Sequence, residues 1–134
     1  SGLVLKLGPR ERVLVNGAVI ENGDRRARLS IVTPDARILR LRDAIHPTEA
    51  TTPVRRACYA AQLVLSGDAA PEDMHHQILR RIEELSQVLR DPDSRALLAQ
   101  AGSALFDAEH YRCLKALRAL LPREARLLAH RRSA

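Results

Sequence analysis

Seven cations in the first third of the chain have residue types and spacings that can do recognisable chemistry. Arg25, Arg26 and Arg28 stand together, Arg37, Arg40 and Arg42 follow, and Lys6 lies ahead of both groups. A guanidinium is a planar fork of donors that grips phosphate oxygens two at a time and stacks on bases, whereas a lysine supplies a point charge. The chemistry this pattern suits is the holding of a polyanion, with no bond made or broken. The competing reading is a solvated sheet face whose edge charges discourage aggregation.

Elsewhere the reactive residue types do not combine. His75 and His76 are adjacent, and neighbours on a helix point about 100° apart, so they cannot form the i, i+4 pair of zinc-binding helices. His46, His110 and His130 stand alone. The acidic pairs Glu72-Asp73 and Glu83-Glu84 have basic neighbours, and Glu84 follows Arg81 at the spacing of an ordinary solvated helix pair. Neither a G-x-S-x-G element nor a phosphate loop appears. Cys58 and Cys113 lack metal spacing and fall in predicted helices, so two reduced core thiols are expected. The expectation is a protein with no catalytic residues, no metal and no cofactor.

The arginines must be positioned by strands. Leu3, Leu5 and Leu7 alternate with Val4 and Lys6, a period of two. Gly8-Pro9 breaks that run. Arg12 to Val15 is a second β-type segment, and Asn16-Gly17 after it is a strong hairpin signal because both residues tolerate positive φ. Ala18 to Glu21 resumes the strand, Asn22-Gly23 turns again, and Ala27 to Val32 alternates. Thr33-Pro34-Asp35 is a turn. Arg37 to Arg42 reads as the last strand, with Ile38, Arg40 and Arg42 on one face. Short strands separated by turns suggest a meander or small barrel.

His46 to Pro53 is a polar linker punctuated by proline. Thr52 can cap a helix that has Pro53 at its first position and Gly67 as its stop. Pro71 starts a second helix with Met74, Ile78, Ile82, Leu85 and Leu89 as its apolar stripe. Asp91-Pro92 begins a third, expected to run to about Ala101 and to be interrupted at Gly102-Ser103. Asp107 is a plausible cap for a fourth, carrying Tyr111, Leu114, Leu117 and Leu121. Pro122 kinks or restarts a terminal helix, and the tail from His130 to Ala134 is expected to fray. Those apolar stripes are either core or, for one face, a partner-binding surface.

A chain of 134 residues is one domain, or a small domain with an appendage. The hydrophobic fraction of 46% argues against disorder. A β unit of about 45 residues would be marginal alone, so the halves are expected to pack together or the chain to oligomerise. No stretch reaches the roughly 18 apolar residues of a bilayer span. Ser1 to Leu7 carries a lysine inside its apolar run and lacks a cleavage pattern, so an unprocessed cytoplasmic protein is expected. The net charge is +6, and residues 1–45 hold nine Lys/Arg against five Asp/Glu. That third is where a polyanion would sit. The aromatics Tyr59, Phe106 and Tyr111 all come after residue 50. An RNA site in the first third must therefore work through charge, backbone groups and shape, not stacking.

The segment from Asn16-Gly17-Ala18-Val19-Ile20-Glu21 to Asn22-Gly23-Asp24-Arg25-Arg26 resembles the signature of the FlbT family, flagellar post-transcriptional regulators. Thr52-Pro53-Val54-Arg55-Arg56, with Tyr59 and Gln62-Leu63 after it, is similar to that family's second marked stretch, and Ile31 to Pro34 and Ile38 to Arg40 also agree. The resemblance covers roughly residues 3 to 66 by motif. It implies a cytoplasmic regulator that associates with the 5′ untranslated leader of flagellin mRNA, represses translation and promotes message decay. It also implies a link to FlaF, a small helical flagellar partner that acts in the opposite direction.

The β unit is similar, more weakly, to the CsrA family of leader-binding translational regulators. The segments that agree are Leu3-Val4-Leu5, Arg12-Val13-Leu14-Val15, Arg28-Leu29-Ser30-Ile31, Thr33-Pro34-Asp35 and Ile38-Leu39-Arg40-Leu41-Arg42-Asp43. In that family the first strand and the end of the last hold RNA across an interleaved dimer. Arg42 stands at the position of a central basic residue. Leu41 stands where that family has histidine, Ser30 lies where it has glycine, and its single short helix is replaced here by a long helical half.

The expectation that results is an α+β protein. A basic, CsrA-like, five-stranded antiparallel β unit over 1–46 is followed by four to five helices over 53–134, the two packed as one compact protein. Arg42 and Arg40 would contact phosphate or base edges of the leader, and Arg37, Arg28, Arg26, Arg25 and Lys6 would supply a less specific field. The alternative is an interaction module whose helical half docks flagellin or FlaF. No membrane partner is expected, and a homodimer or higher oligomer is left open.

Overall fold

The alternating leucines of the first run build a strand that hides one face. The structure, a computed structural model, describes residues 2–16 and 18–133, with the side chains of residues 43, 132 and 133 outside that description. Its strands are β1 (Leu3–Leu7), β2 (Arg12–Val15), β3 (Ala18–Glu21), β4 (Ala27–Ile31) and β5 (Ile38–Arg40). They form two small antiparallel sheets, one pairing β1 with β4 and the other ordered β3-β2-β5. In the first, Leu5 lies opposite Leu29 and Leu7 opposite Ala27, which turns Leu5 and Leu7 into the core beside Val13. The period of two then forces Lys6 and its partner Arg28 onto the outer face.

The hairpin between β2 and β3 has the expected tight connection. Val15 faces Ala18, and Asn16 takes φ 48°. Gly17, the other turn residue, lies outside the described residues. Asn16 also does something that the turn reading does not include. Its backbone N–H donates to the Arg37 carbonyl, and its Oδ1 accepts from the Arg37 N–H at 2.9 Å, pinning the approach to β5.

The last strand is shorter than the sequence suggests. It spans Ile38–Arg40, and residues Leu41–Asp43 coil into a single 3-10 turn closed by the Ala44 N–H on the Leu41 carbonyl. Arg37 therefore precedes the strand, and Arg42 leaves it on a turn instead of sharing a strand face with Ile38 and Arg40. The pairing with β2 ends at Val13 opposite Arg40, so no ladder carries the chain further in extended form.

The chain divides into two compact units, residues 1–44 and 45–134. The second is helical. A 3-10 turn at Pro47–Glu49 precedes α1 (Pro53–Leu65), α2 (Pro71–Val88), α3 (Pro92–Phe106), α4 (His110–Arg118) and α5 (Leu121–Ser133). Thr52 caps α1 as expected, accepting from the Arg55 N–H, and Gly67 at φ 82° provides the left-handed stop just after it. The α2 stripe, Met74, Ile78, Ile82, Leu85 and Leu89, is buried throughout. α1 packs on α2 and α4, and α3 packs on α2 and α4.

Three helix boundaries differ from the sequence reading, and Leu121 opens α5 instead of continuing α4, which ends at Arg118. α3 continues through Gly102-Ser103 to Phe106, because Leu98, Ala101, Ala104 and Leu105 keep a buried stripe at helical spacing. That packing outweighs the roughly 1 kcal/mol that a mid-helix glycine costs relative to alanine. Asp107 consequently ends α3, and Glu109 precedes α4. The tail stays helical through Ser133, and Ala134 lies outside the described residues.

Candidate nucleic-acid interface

The register of β1 on β4 sets Lys6 directly across from Arg28 on an exposed face. Like charges directly opposite across a ladder destabilise it. Arg26 lies just before β4, and Arg42 comes in on the 3-10 turn after β5. Lys6, Arg26, Arg28 and Arg42 together line a cleft of about 660 Å³ whose other walls are Leu7, Gly8, Pro9, Glu11 and Ala27. Among these described lining residues the single carboxylate is Glu11.

Glu11 is already engaged. Its Oε1 accepts the Gly8 N–H at 2.9 Å, while the Glu11 N–H donates to the Gly8 carbonyl, so the turn from β1 to β2 is closed in both directions. Its Oε2 accepts from Arg40 Nε at 2.8 Å, and Oε1 lies 3.3 Å from Arg40 Nη2. The same Arg40 Nη2 donates to the Lys6 carbonyl. Arg42 Nε stands 3.7 Å from Glu11 Oε2. The Arg40 side chain is 23% exposed and that of Arg42 is 61% exposed. The Gly8 hydrogen bond is the chief cause that holds the Glu11 carboxyl below the usual carboxylate range. Burial opposes it, and the Arg40 hydrogen bond with the charges of Arg40 and Arg42 reinforces it.

A side-chain amide completes the frame. Asn22 Nδ2 donates to the Gly8 carbonyl at 2.7 Å and to the Arg25 carbonyl at 2.9 Å, while the Asn22 N–H donates to the Glu11 carbonyl. The loop that carries Arg25 and Arg26 is thereby tied to the turn that carries Glu11. Across the loop, Arg10 pairs with Asp24 at 2.8 Å.

Of the seven sequence-derived residues, the structure gathers Lys6, Arg26, Arg28 and Arg42 in one cleft. Arg40 sits behind it, holding Glu11 and the β1 backbone. Arg25 and Arg37 are exposed but do not line the cleft. Sequence reasoning missed Glu11, Gly8 and Asn22 as parts of the site. The only signal for Glu11 was an acid placed three residues after Gly8, the spacing at which a side chain closes a turn.

In the helical unit, His75 and His76 pack edge-on with ring centroids 5.8 Å apart. Among the described residues no group of three or more His, Cys, Asp or Glu is placed to hold a metal, and no helix is long and apolar enough to cross a membrane. Cys58 and Cys113 are free and fully buried; burial pushes the Cys58 thiol up to about 12 and the Cys113 thiol up to about 11. The buried carboxylate is Glu124. From the first turn of α5 it accepts from Thr52 Oγ1 and from the Val54 N–H at 2.9 Å, capping α1 from across the unit.

Comparison with known proteins covers nearly the whole chain. The chain is 34% identical over 128 residues to a probable flagellum biosynthesis repressor protein FlbT of Caulobacter sp. strain K31, covering 96% of this chain and 97% of that one. It is 30% identical to the flagellum biosynthesis repressor protein FlbT of Caulobacter vibrioides strain CB 15, with 96% and 90% covered. A probable flagellum biosynthesis repressor of Bradyrhizobium diazoefficiens is 33% identical, with 93% and 84% covered. No solved structure matches the chain. The family model described as flagellar protein FlbT matches residues 3–128, which takes in both the cleft and the helices, and the chain belongs to the FlbT family.

Proposed function

We propose that this chain is a repressor of flagellum biosynthesis that binds the 5′ untranslated leader of flagellin mRNA through the cleft of the β unit, lowering translation and promoting decay of the message. The observation that carries the reading is the Lys6–Arg28 pair. Two like charges face each other across a ladder, at a cost to the sheet, in a cleft that also receives Arg26 and Arg42. A phosphate between them turns that cost into two charge-assisted hydrogen bonds. The repressor names of the Caulobacter relatives supply the biological direction. The β unit holds no aromatic side chain, so contact runs through phosphate and backbone groups. The chain performs no chemistry in this reading. Decay follows from lost ribosome protection or from nucleases that act on the repressed message.

The test is a gel-shift titration of a flagellin leader and an unrelated RNA at two salt concentrations. Four phosphate contacts give a slope of about −2.8 in log affinity against log salt for a single strand and about −3.6 for a duplex. A leader that binds no tighter than unrelated RNA, with a slope near zero, ends this reading.

A second reading rests on the helical unit. Between α3 and α4, Leu97, Gln100, Arg112, Lys115, Ala116 and Ala119 line a groove of about 320 Å³, and Phe106 at the end of α3 is 86% exposed. A groove with an apolar floor and a basic rim suits docking of flagellin or the co-regulator FlaF. A complex with either purified protein that persists in high salt and forms without RNA would favour this reading, because apolar burial is not screened.

A further inference from the structure

Glu11 is an acid in the wall of a basic cleft, and it holds the two arginines beside it unequally. Arg40 is held at 2.8 Å through Nε, with Nη2 at 3.3 Å from the same carboxylate and donating to the Lys6 carbonyl. This is a shielded, several-point attachment, with 23% of the Arg40 side chain and 10% of the Glu11 side chain exposed. The contact of Glu11 with Arg42 is 3.7 Å, with 61% of the Arg42 side chain exposed, and is loose and solvent-screened. The Gly8 N–H fixes the carboxylate itself, so it cannot follow a departing partner. A carboxylate and a phosphate oxygen offer a guanidinium the same acceptor geometry, and a phosphate in the cleft competes for Arg42 on better terms than for Arg40.

We propose that Glu11 is a resident counter-anion of the cleft that keeps Arg40 permanently and Arg42 exchangeably, so that RNA binding hands Arg42 from carboxylate to phosphate. The proposal rests on the RNA reading above. It divides the arginines by role: Arg40 is a positioning residue that fixes Glu11 and the β1 backbone, and Arg42 is the phosphate contact that moves. Glu11 is one of the groups that oppose that movement.

The experiment measures binding of a flagellin leader transcript to the full chain and to Glu11→Gln, Arg42→Ala and the double variant. Glutamine keeps one acceptor oxygen for Gly8, drops the charge that competes for Arg42 and turns an amide N–H toward Arg40 Nε, so the Arg42→Ala background is what separates the two arginines. The expected result is that Glu11→Gln tightens binding about 2- to 5-fold, the range an exposed ion pair is worth, and that the gain disappears in the Arg42→Ala background. A gain that survives without Arg42, or no gain at all, overturns the proposal and leaves the RNA reading standing. Absence of binding by the unaltered chain overturns both. Should Glu11→Gln fail to fold, the arginine Nε–H resonances of the unaltered protein decide. On adding the transcript the Arg42 signal moves and the Arg40 signal stays; movement of Arg40, or none at Arg42, overturns the proposal.

Discussion

The two units of this chain hold themselves together by different means. In the β unit the buried side chains are Leu5, Leu7, Val13, Leu14 and Leu39, a core too small to carry much stability by itself. Its segments are joined by polar groups: Glu11 to Gly8 and Arg40, Asn22 to Gly8 and Arg25, Asn16 to Arg37. In the helical unit four helices present continuous apolar stripes to one another, with Ile78, Leu105, Leu117 and Leu120 almost completely enclosed. Polar groups there act at helix ends. The difference teaches where function is cheap to place. Charge can be crowded onto the β unit because its frame is already electrostatic, whereas the helical unit offers an apolar scaffold.

The largest effect that sharpens this contrast belongs to the helical core. Ile78→Ala removes a fully enclosed side chain and is expected to cost about 2–5 kcal/mol in denaturant unfolding of the helical unit. Leader binding by the fraction that remains folded should keep its salt slope; a changed slope would break the separation of roles. Next comes Glu124→Ala, which leaves the first turn of α1 without its distant cap and is expected to cost about 2–3 kcal/mol in the same assay.

Substitution of the paired cations Lys6 and Arg28 in the cleft should move binding and not stability. Lys6→Ala and Arg28→Ala are each expected to lower the salt slope by about 0.7 to 0.9, while the melting temperature of the free protein holds or rises as the like-charge contact is relieved. A fall in melting temperature from either would mean that these charges support the fold.

A smaller effect concerns pH. Glu11 and Glu21 both have carboxyls held below their ordinary value of 4.5, Glu21 chiefly by its hydrogen bond to Arg12 at 2.8 Å. Because the folded value lies below the unfolded one, their contribution is complete above pH 4.5 and is lost as pH falls through the lower folded values. Circular dichroism at falling pH should show the β signal weakening below that point, and Glu11→Gln should flatten the dependence. The least conspicuous prediction concerns thiols. With Cys58 pushed up to about 12 and Cys113 to about 11, neither is ionised near neutrality. A thiol reagent should modify them no faster than the helical unit opens, and rapid labelling of native protein would show that core to be looser than its burial implies.

Much of this organisation could be read from residue order because it is local. Alternation placed β1, the Asn16 turn joined β2 to β3, and Thr52-Pro53 with Gly67 bracketed α1. What could not be read is what depends on distant partners. Nothing near Arg40 in sequence announces Glu11, 29 positions away, and nothing near Thr52 announces Glu124, 72 positions away. The same limit explains Arg42. Its charge is visible, but the turn that carries it into the cleft begins where the pairing of β5 with β2 stops, at Arg40 opposite Val13. Gly102 alone signals a stop to α3, whereas the stripe of Leu98, Ala101, Ala104 and Leu105 buried on either side of it carries the helix on to Phe106.

The cap that Glu124 places on α1 has a consequence for the order in which the molecule can be completed on the ribosome. The partners within the β unit all lie ahead of residue 45, so they are synthesised before α1 begins. The N-terminus of α1 is made soon afterwards but must wait for a carboxylate 70 residues downstream of Val54. At elongation rates of roughly 5–20 residues per second, that interval lasts several seconds. During it the nascent chain carries a basic unit whose partners are all made ahead of a helical one that still lacks its cap.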